Sequence, residues 1–300
     1  MKKKTYLFAL MAMALTLGSC SDNENGIGGE TSKYITVSTS IGNMTRVATD
    51  EKGGQTFEEG DEISVYAWIG APTVAPETSE RVVNNAINKL TNGAWVATPQ
   101  MLWKNNRDKH YFIGVYPISA ISDLSAGEYT FDVNKQTESD LLVAVNADGL
   151  SYNADEQQTV PLTFTHVMSK LAVNLAYKNQ WGGIPTVEKV VVGNAAKEAT
   201  INYLTKVVTP STTAKEDFSL PEITENTKYV SVIIPQEDVK QLTIVIGGKN
   251  FVYDNGTPFK LESGKITTVN LEVGRDEIKL GDVKITNWED GSTFSGEALN

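Results

Sequence analysis

Apolar and polar residues alternate along most of this chain, and a period of two predicts β-strands that bury one face. Ile35, Val37, Thr39 and Ile41 alternate with Thr36, Ser38 and Ser40. Leu171, Val173, Leu175 and Tyr177 line one side of a second segment, opposite Ala172, Asn174 and Ala176. Leu242, Ile244 and Ile246 repeat the pattern, as do Val269, Leu271 and Val273. Shorter β-rich runs occupy residues 63–68, 111–116, 129–133, 141–145, 187–192 and 230–234. Turn residues separate the runs at Gly53-Gly54, Gly182-Gly183, Asp254-Asn255-Gly256 and Ser263-Gly264. Asn255-Gly256 lies between Phe251-Val252-Tyr253 and residues 259–261, which predicts a tight hairpin there. Residues 81–90 are ambiguous: their spacing suits one short helix, but β-branched valines and paired asparagines oppose it. No long amphipathic helix and no fixed-period repeat is evident beyond the leader. Many short strands with frequent turns predict an all-β chain built of antiparallel sandwiches.

The N-terminus has a different pattern. Lys2, Lys3 and Lys4 precede an apolar run at residues 6–17, which ends in Gly18-Ser19 and the only cysteine, Cys20. This is the charge, apolar core and small-residue cleavage site of a secretory leader. The run is shorter than the ~20 residues of an ordinary spanning helix. Leu17-Gly18-Ser19-Cys20 resembles the bacterial lipobox, which implies acylation of the Cys20 sulfur and of the new N-terminus. Ser21-Asp22-Asn23-Glu24-Asn25, followed by Gly26-Ile27-Gly28-Gly29, lacks the apolar area to order itself and reads as a tether. An acidic stretch directly behind the lipidated cysteine also resembles the surface-export signal of Bacteroidota lipoproteins. The layout is thus a signal peptide at 1–19 and a lipid tether at 20–33. A mature chain of this length favours two domains. The polar stretch 153–158 is the best break, giving an N-terminal sandwich at 34–158 and a C-terminal one at 159–300.

Charge narrows the partners. The net charge of −11 becomes −14 once the three leader lysines are gone, which disfavours nucleic acid and anionic lipid. With no cysteine after Cys20, disulfides are excluded and packed cores must hold the body. His110 and His166 lie far apart, and neither has the spacing of a metal motif. No Gly-x-Ser-x-Gly elbow is present. Gly248-Lys249 and Gly264-Lys265 do not close a phosphate loop, and Asp254-Asn255-Gly256 lacks the ligand ladder of a calcium loop. Asp61 and Asp140 begin strand runs, where a carboxylate caps exposed N–H groups. The reading is a non-enzyme without cofactor or metal. Five tryptophans suggest sugar stacking as an alternative, although sandwich cores commonly bury them, and Trp181 before its Gly-Gly turn is the least core-like.

An ordered set of motifs covers residues 34 to 290. Phe57-Glu58-Glu59-Gly60-Asp61-Glu62-Ile63-Ser64-Val65 resembles the F-x-x-G-D-x-I-x-V strand opening of the fimbrillin family of Bacteroidales. Tyr116-Pro117, Asp140-Leu141-Leu142-Val143-Ala144 and the closing Ile285-Thr286-Asn287-Trp288 resemble further family segments. Leu162-Thr163-Phe164-Thr165-His166-Val167-Met168-Ser169-Lys170-Leu171 resembles the most specific of them. The resemblance implies two tandem transthyretin-like sandwich domains in a surface lipoprotein of the outer membrane that assembles with other fimbrial subunits. It also implies contact with ligands on host or bacterial surfaces. In the family an arginine-directed protease releases an early strand, and a neighbouring subunit's strand fills the groove. Carried onto this chain, the strand released is the one holding Ile35, Val37 and Ile41, and the processing site is Arg46. Residues 278–285 are a plausible donor strand, provided a bulge at Gly281 brings Ile278, Leu280, Val283 and Ile285 to one face. The polar end, residues 289–300, is a poor strand and weakens the idea of a long C-terminal donor. The alternative to a fimbrial subunit is a monomeric surface lipoprotein that binds glycans.

Overall fold

A computed structural model describes residues 33–42, 56–154, 156, 158–254 and 256–288. Its first strands are β1 (Thr36–Ile41), β2 (Glu62–Ile69), β3 (Val83–Thr91), β4 (Ala94–Thr98), β5 (His110–Tyr116), β6 (Gly127–Thr130), β7 (Leu142–Leu150) and β8 (Thr159–His166). β9 (Ser169–Tyr177), β10 (Val187–Ala196), β11 (Glu198–Asn202), β12 (Val207–Pro210), β13 (Lys215–Ser219) and β14 (Glu222–Thr224) follow. β15 (Lys228–Ile233), β16 (Gln241–Ile246), β17 (Lys249–Asp254), β18 (Lys265–Val273) and β19 (Ile278–Asn287) complete the series. The α-helix among the described residues is a single turn, Gln136–Ser139.

Seven strands form one sheet in the order β1-β8-β7-β5-β2-β3-β4. The residues leading into β1 reach the far side of that sheet: the Ile35 N–H donates to the Met101 carbonyl at 2.9 Å and the Trp103 N–H to the Lys33 carbonyl at 3.2 Å. One face of the sheet encloses a core of Ile63, Val65, Phe112, Leu142, Leu162 and Phe164. The intervening residues Tyr66, Trp68, Ile113, Val115 and Val143 belong to a second, larger core. β2 and β5 are therefore buried on both faces, and this is why their sequences run apolar instead of alternating. The other sheets run β14-β15-β9-β18-β19, β13-β10-β16-β17 and β12-β11-β6. They supply the rest of the second core, including Val173, Val190, Ile201, Val232, Ile244 and Val269.

Several local expectations need correction. Residues 81–90 contribute to a strand, and the paired asparagines mark a break in register against β2, with Asn85 at φ 56°. Phe251, Val252 and Tyr253 pair with β16, not with residues 259–261. The turn that joins them is Gly247-Gly248, with φ of 58° and 72°, the two positive values of a type I′ hairpin. The polar stretch before Val160 connects β7 and β8 of one sheet, and after an excursion of β6 to pair with β11 the chain leaves that sheet for the last time at Val167-Met168. Among the described residues two ladders are parallel, β1 with β8 and β9 with β18, while the others are antiparallel.

Two buried features make this packing testable. A Cβ built on Gly114 of β5 meets Phe164 Cζ at 2.6 Å and Leu162 Cδ1 at 3.1 Å, so the ring of Phe164 needs a hydrogen at this place. Gly114→Ala is expected to destabilise the chain by about 1–3 kcal/mol through overpacking, read as a lower urea midpoint at constant slope. His110 is fully buried, with Nε2 accepting the Lys104 N–H at 3.1 Å. Its Nδ1 therefore carries the proton, facing the Asp108 carbonyl at 3.1 Å. Burial pushes the imidazole below its ordinary range, with the Asp108 contacts opposing in part. Folding thus favours the neutral ring. Its contribution is complete above about pH 6.5 and is lost as pH falls through the lower folded value. The stability advantage of the wild type over His110→Gln should shrink between pH 7 and pH 5 in urea titrations, and an advantage that grows on acidification would contradict this.

Candidate functional site

The first strand is the terminal member of its sheet and lies in a groove made for it. β1 runs parallel to β8 in the register Thr36↔Thr159 to Ile41↔Phe164. Gly42 extends the ladder through its N–H to the Phe164 carbonyl at 2.7 Å. On the outer face hydroxyls meet across the two strands, Thr36 Oγ1 with Thr159 Oγ1 and Ser40 Oγ donating to Thr163 Oγ1, each at 3.2 Å. On the inner face Ile35, Val37 and Ile41 are 1%, 6% and 7% exposed. These three side chains, expected as the strand released or replaced, contribute roughly 1.5–3 kcal/mol each by burial. Thr39 is the fourth inner residue, and its Oγ1 accepts the indole N–H of Trp95 at 3.0 Å.

An aromatic group closes the groove where β1 ends. Phe57 meets Trp95, Tyr116 and Phe164 edge-on, with centroids 5.3, 5.4 and 5.1 Å away. Gly42 is the last described residue of this segment, and Phe57, near the start of the next described segment, stands in the aromatic wall. Arg46, the expected processing site, falls between these points and outside the described residues, as does the lipidation residue Cys20.

β19 is the outer strand of its sheet, antiparallel to β18. A shift in register between Val269 and Leu271 places Val283 opposite Val269 and Leu280 opposite Leu271. The two residues passed over on β19 are Gly281 and Asp282, so the bulge sits where the alternation required it. Ile278, Leu280, Val283 and Ile285 thereby share a face. Ile278 and Leu280 pack against the larger core, while Val283 and Ile285 are 38% and 40% exposed. The strand ends in a clasp that sequence reasoning missed. Trp288 stacks on the His166 ring with centroids 4.1 Å apart and planes 6° apart, and Lys170 Nζ lies 4.2 Å from the indole centroid. His166 Nδ1 is 2.8 Å from Asp140 Oδ1, so Asp140 partners a histidine instead of only capping backbone. Three of the sequence motifs meet in this one contact.

The tryptophans hold the structure. Trp68, Trp103 and Trp288 are buried. Trp95 and Trp181 are half-buried, with the Trp95 N–H given to Thr39 and the Trp181 N–H to the Val273 carbonyl at 3.0 Å. Trp181, the best candidate for sugar stacking from sequence, packs edge-on against Phe251 at 5.9 Å with the Arg275 guanidinium 5.7 Å from its ring. Among the described residues no group of three or more His, Cys, Asp or Glu side chains is placed to hold a metal ion.

Comparison with known proteins follows this geometry. A solved structure of a candidate cell-adhesion protein from Bacteroides uniformis superposes with TM-score 0.63 at 19% identity, covering 86% of this chain and 100% of that one. A second such protein, from Bacteroides ovatus, gives 0.62 at 17% identity over 85% and 98%. The tip fimbrial protein Mfa3 from Porphyromonas gingivalis, with a C-terminal truncation, gives 0.50 at 11% identity over 77% and 95%. At these identities the likeness is one of fold. Comparison with curated proteins gave no match. The fimbrillin-like family model matches residues 45–288, from just after β1 to the tryptophan of the clasp, and the chain belongs to the fimbrillin-like family.

Proposed function

We propose that this chain is a structural or adhesive subunit of a cell-surface fimbria, assembled by strand exchange after β1 is released at Arg46. The observation that carries the reading is β1 itself. It is a terminal strand with a buried apolar inner face, and an arginine, Arg46, stands five positions after its last residue, Ile41, in the sequence. Removing it would bare one edge of β8 and the side chains beneath, which is the kind of edge that accepts a strand from another polypeptide. Family membership and the fimbrial and adhesion proteins of the same fold support the assignment. In this reading the body is two tandem sandwiches that meet at Val167-Met168. Other fimbrial subunits are its partners, and Cys20 anchors it through lipid at the outer-membrane surface. The work is contact and not catalysis. The glycan-binding alternative has no observation in its favour, because none of the five indoles stands free.

Two experiments test these claims. Treatment of the secreted chain with an arginine-specific protease should remove the segment ending at Arg46 and yield multimers that resist mild denaturant, with both effects lost in Arg46→Ala. A cut chain that stays monomeric at high concentration would sink the strand-exchange mechanism. The anchor is tested separately: a clickable fatty acid fed to the expressing cells should label the wild type and not Cys20→Ser. Equal labelling of both would remove Cys20 as the attachment point.

A further inference from the structure

The groove under β1 contains one polar contact that apolar alternation does not call for. Its inner positions are filled by Ile35, Val37, Thr39 and Ile41, and at the third the Trp95 indole donates to the threonine hydroxyl. Among the described residues this N–H has no other acceptor. Trp95 is fixed by the pairing of β4 with β3, where it lies opposite Leu90, and by the edge of Phe57. A donor held in place on a half-buried surface discriminates between occupants, since one lacking an acceptor leaves it unpaired.

We propose that Trp95 is a specificity-determining residue of this groove. It selects a strand from a second, different polypeptide, with apolar residues at the places of Ile35, Val37 and Ile41 and an oxygen acceptor at the place of Thr39. The proposal rests on the strand-exchange reading and adds to it what the incoming strand must carry. The chain's own last strand shows why the partner is a different protein. In one register it offers Ile278, Leu280 and Asp282 for the first three places, and in the other Val283, Ile285 and Asn287. Both provide two apolar residues and then an acceptor. Both fail at the fourth place, where Lys284 or Glu289 would stand in the site of Ile41, which is 7% exposed. A charge placed there without a partner opposes insertion. The bulged register, Ile278, Leu280, Val283 and Ile285, fills the fourth place but sets Val283, with no acceptor, against the Trp95 indole. With β1 released from every copy and the last strand a poor match, a second copy of this chain does not supply the occupant.

The test uses the full mature chain with a specific protease site inserted between residues 43 and 55, cut so that β1 stays bound but is free to exchange. Fluorescent peptides are added in excess in mild denaturant, and retention is measured after gel filtration. The probes are residues 33–42, the same peptide with Thr39→Val, and residues 283–289. The native peptide should be retained, with the Thr39→Val and 283–289 peptides each at least about tenfold weaker. In a Trp95→Phe body the native and Thr39→Val peptides should bind within about twofold of each other. Should that variant fail to fold, the wild-type body decides alone. Equal retention of the native and Thr39→Val peptides would overturn the role of Trp95 while leaving strand exchange intact. Equal retention of the 283–289 peptide would overturn the assignment to a different polypeptide. If the opened chain takes up no native peptide, both strand exchange and this proposal fall.

Discussion

The constraint on which this molecule depends is the seating of one short strand. β1 is bonded along one side to β8, tied at its start to the segment Met101–Trp103, and held by three aliphatic side chains and a threonine. Every other strand of its sheet connects closely in sequence or has neighbours on both sides. The partner of β1 lies 123 residues further along the chain, as the contact of Thr36 Oγ1 with Thr159 Oγ1 records. A contact of such long range gains nothing from local chain connectivity, so its strength is that of the interface alone. In the proposed assembly a strand of matching pattern replaces it at that interface.

The rest of the sheet keeps its shape around that seat. The middle strands β2, β5 and β7 are packed on both faces by the two cores. The groove floor is rigid for the same reason that Gly114 must remain small: Phe164 presses directly upon it. An edge vacated on such a sheet keeps its register, because shifting an incoming strand by one residue would turn its apolar side chains to solvent.

Much of this was legible in the chain. The alternation at 35–41 gave the inner residues of β1, and the change of parity across Gly281 gave the bulge in β19. What periodicity cannot convey is which strand meets which. Nothing in the alternation of residues 35–41 points to a parallel ladder with residues 159–164. For the same reason the break at 153–158 resembled a domain boundary, although both flanking strands share a sheet. Two glycine-containing turns competed near residue 250, and the chain uses the Gly-Gly pair that supports positive φ at both places. Asn92-Gly93, which turns β3 into β4 with φ of 52° and 75°, was a readable hairpin mark that would have identified residues 81–90 as a strand. Arg46 and Cys20 lie outside the described residues, so their roles rest on chemistry and resemblance. The clasp of Trp288 with His166 and the bond of Trp95 to Thr39 are tertiary meetings of residues that sequence could only name separately.

The account stands on β1 being the exchangeable part of the fold. The most direct measurement is electron cryo-microscopy of fimbriae that incorporate this chain, at a resolution that traces side chains in the strand beside β8. The account predicts density there from a different polypeptide, parallel to β8, with an oxygen-bearing side chain at the Trp95 indole and no residue of this chain before Arg46. Density for Ile35, Val37 and Ile41 still seated in the assembled fimbria would contradict it.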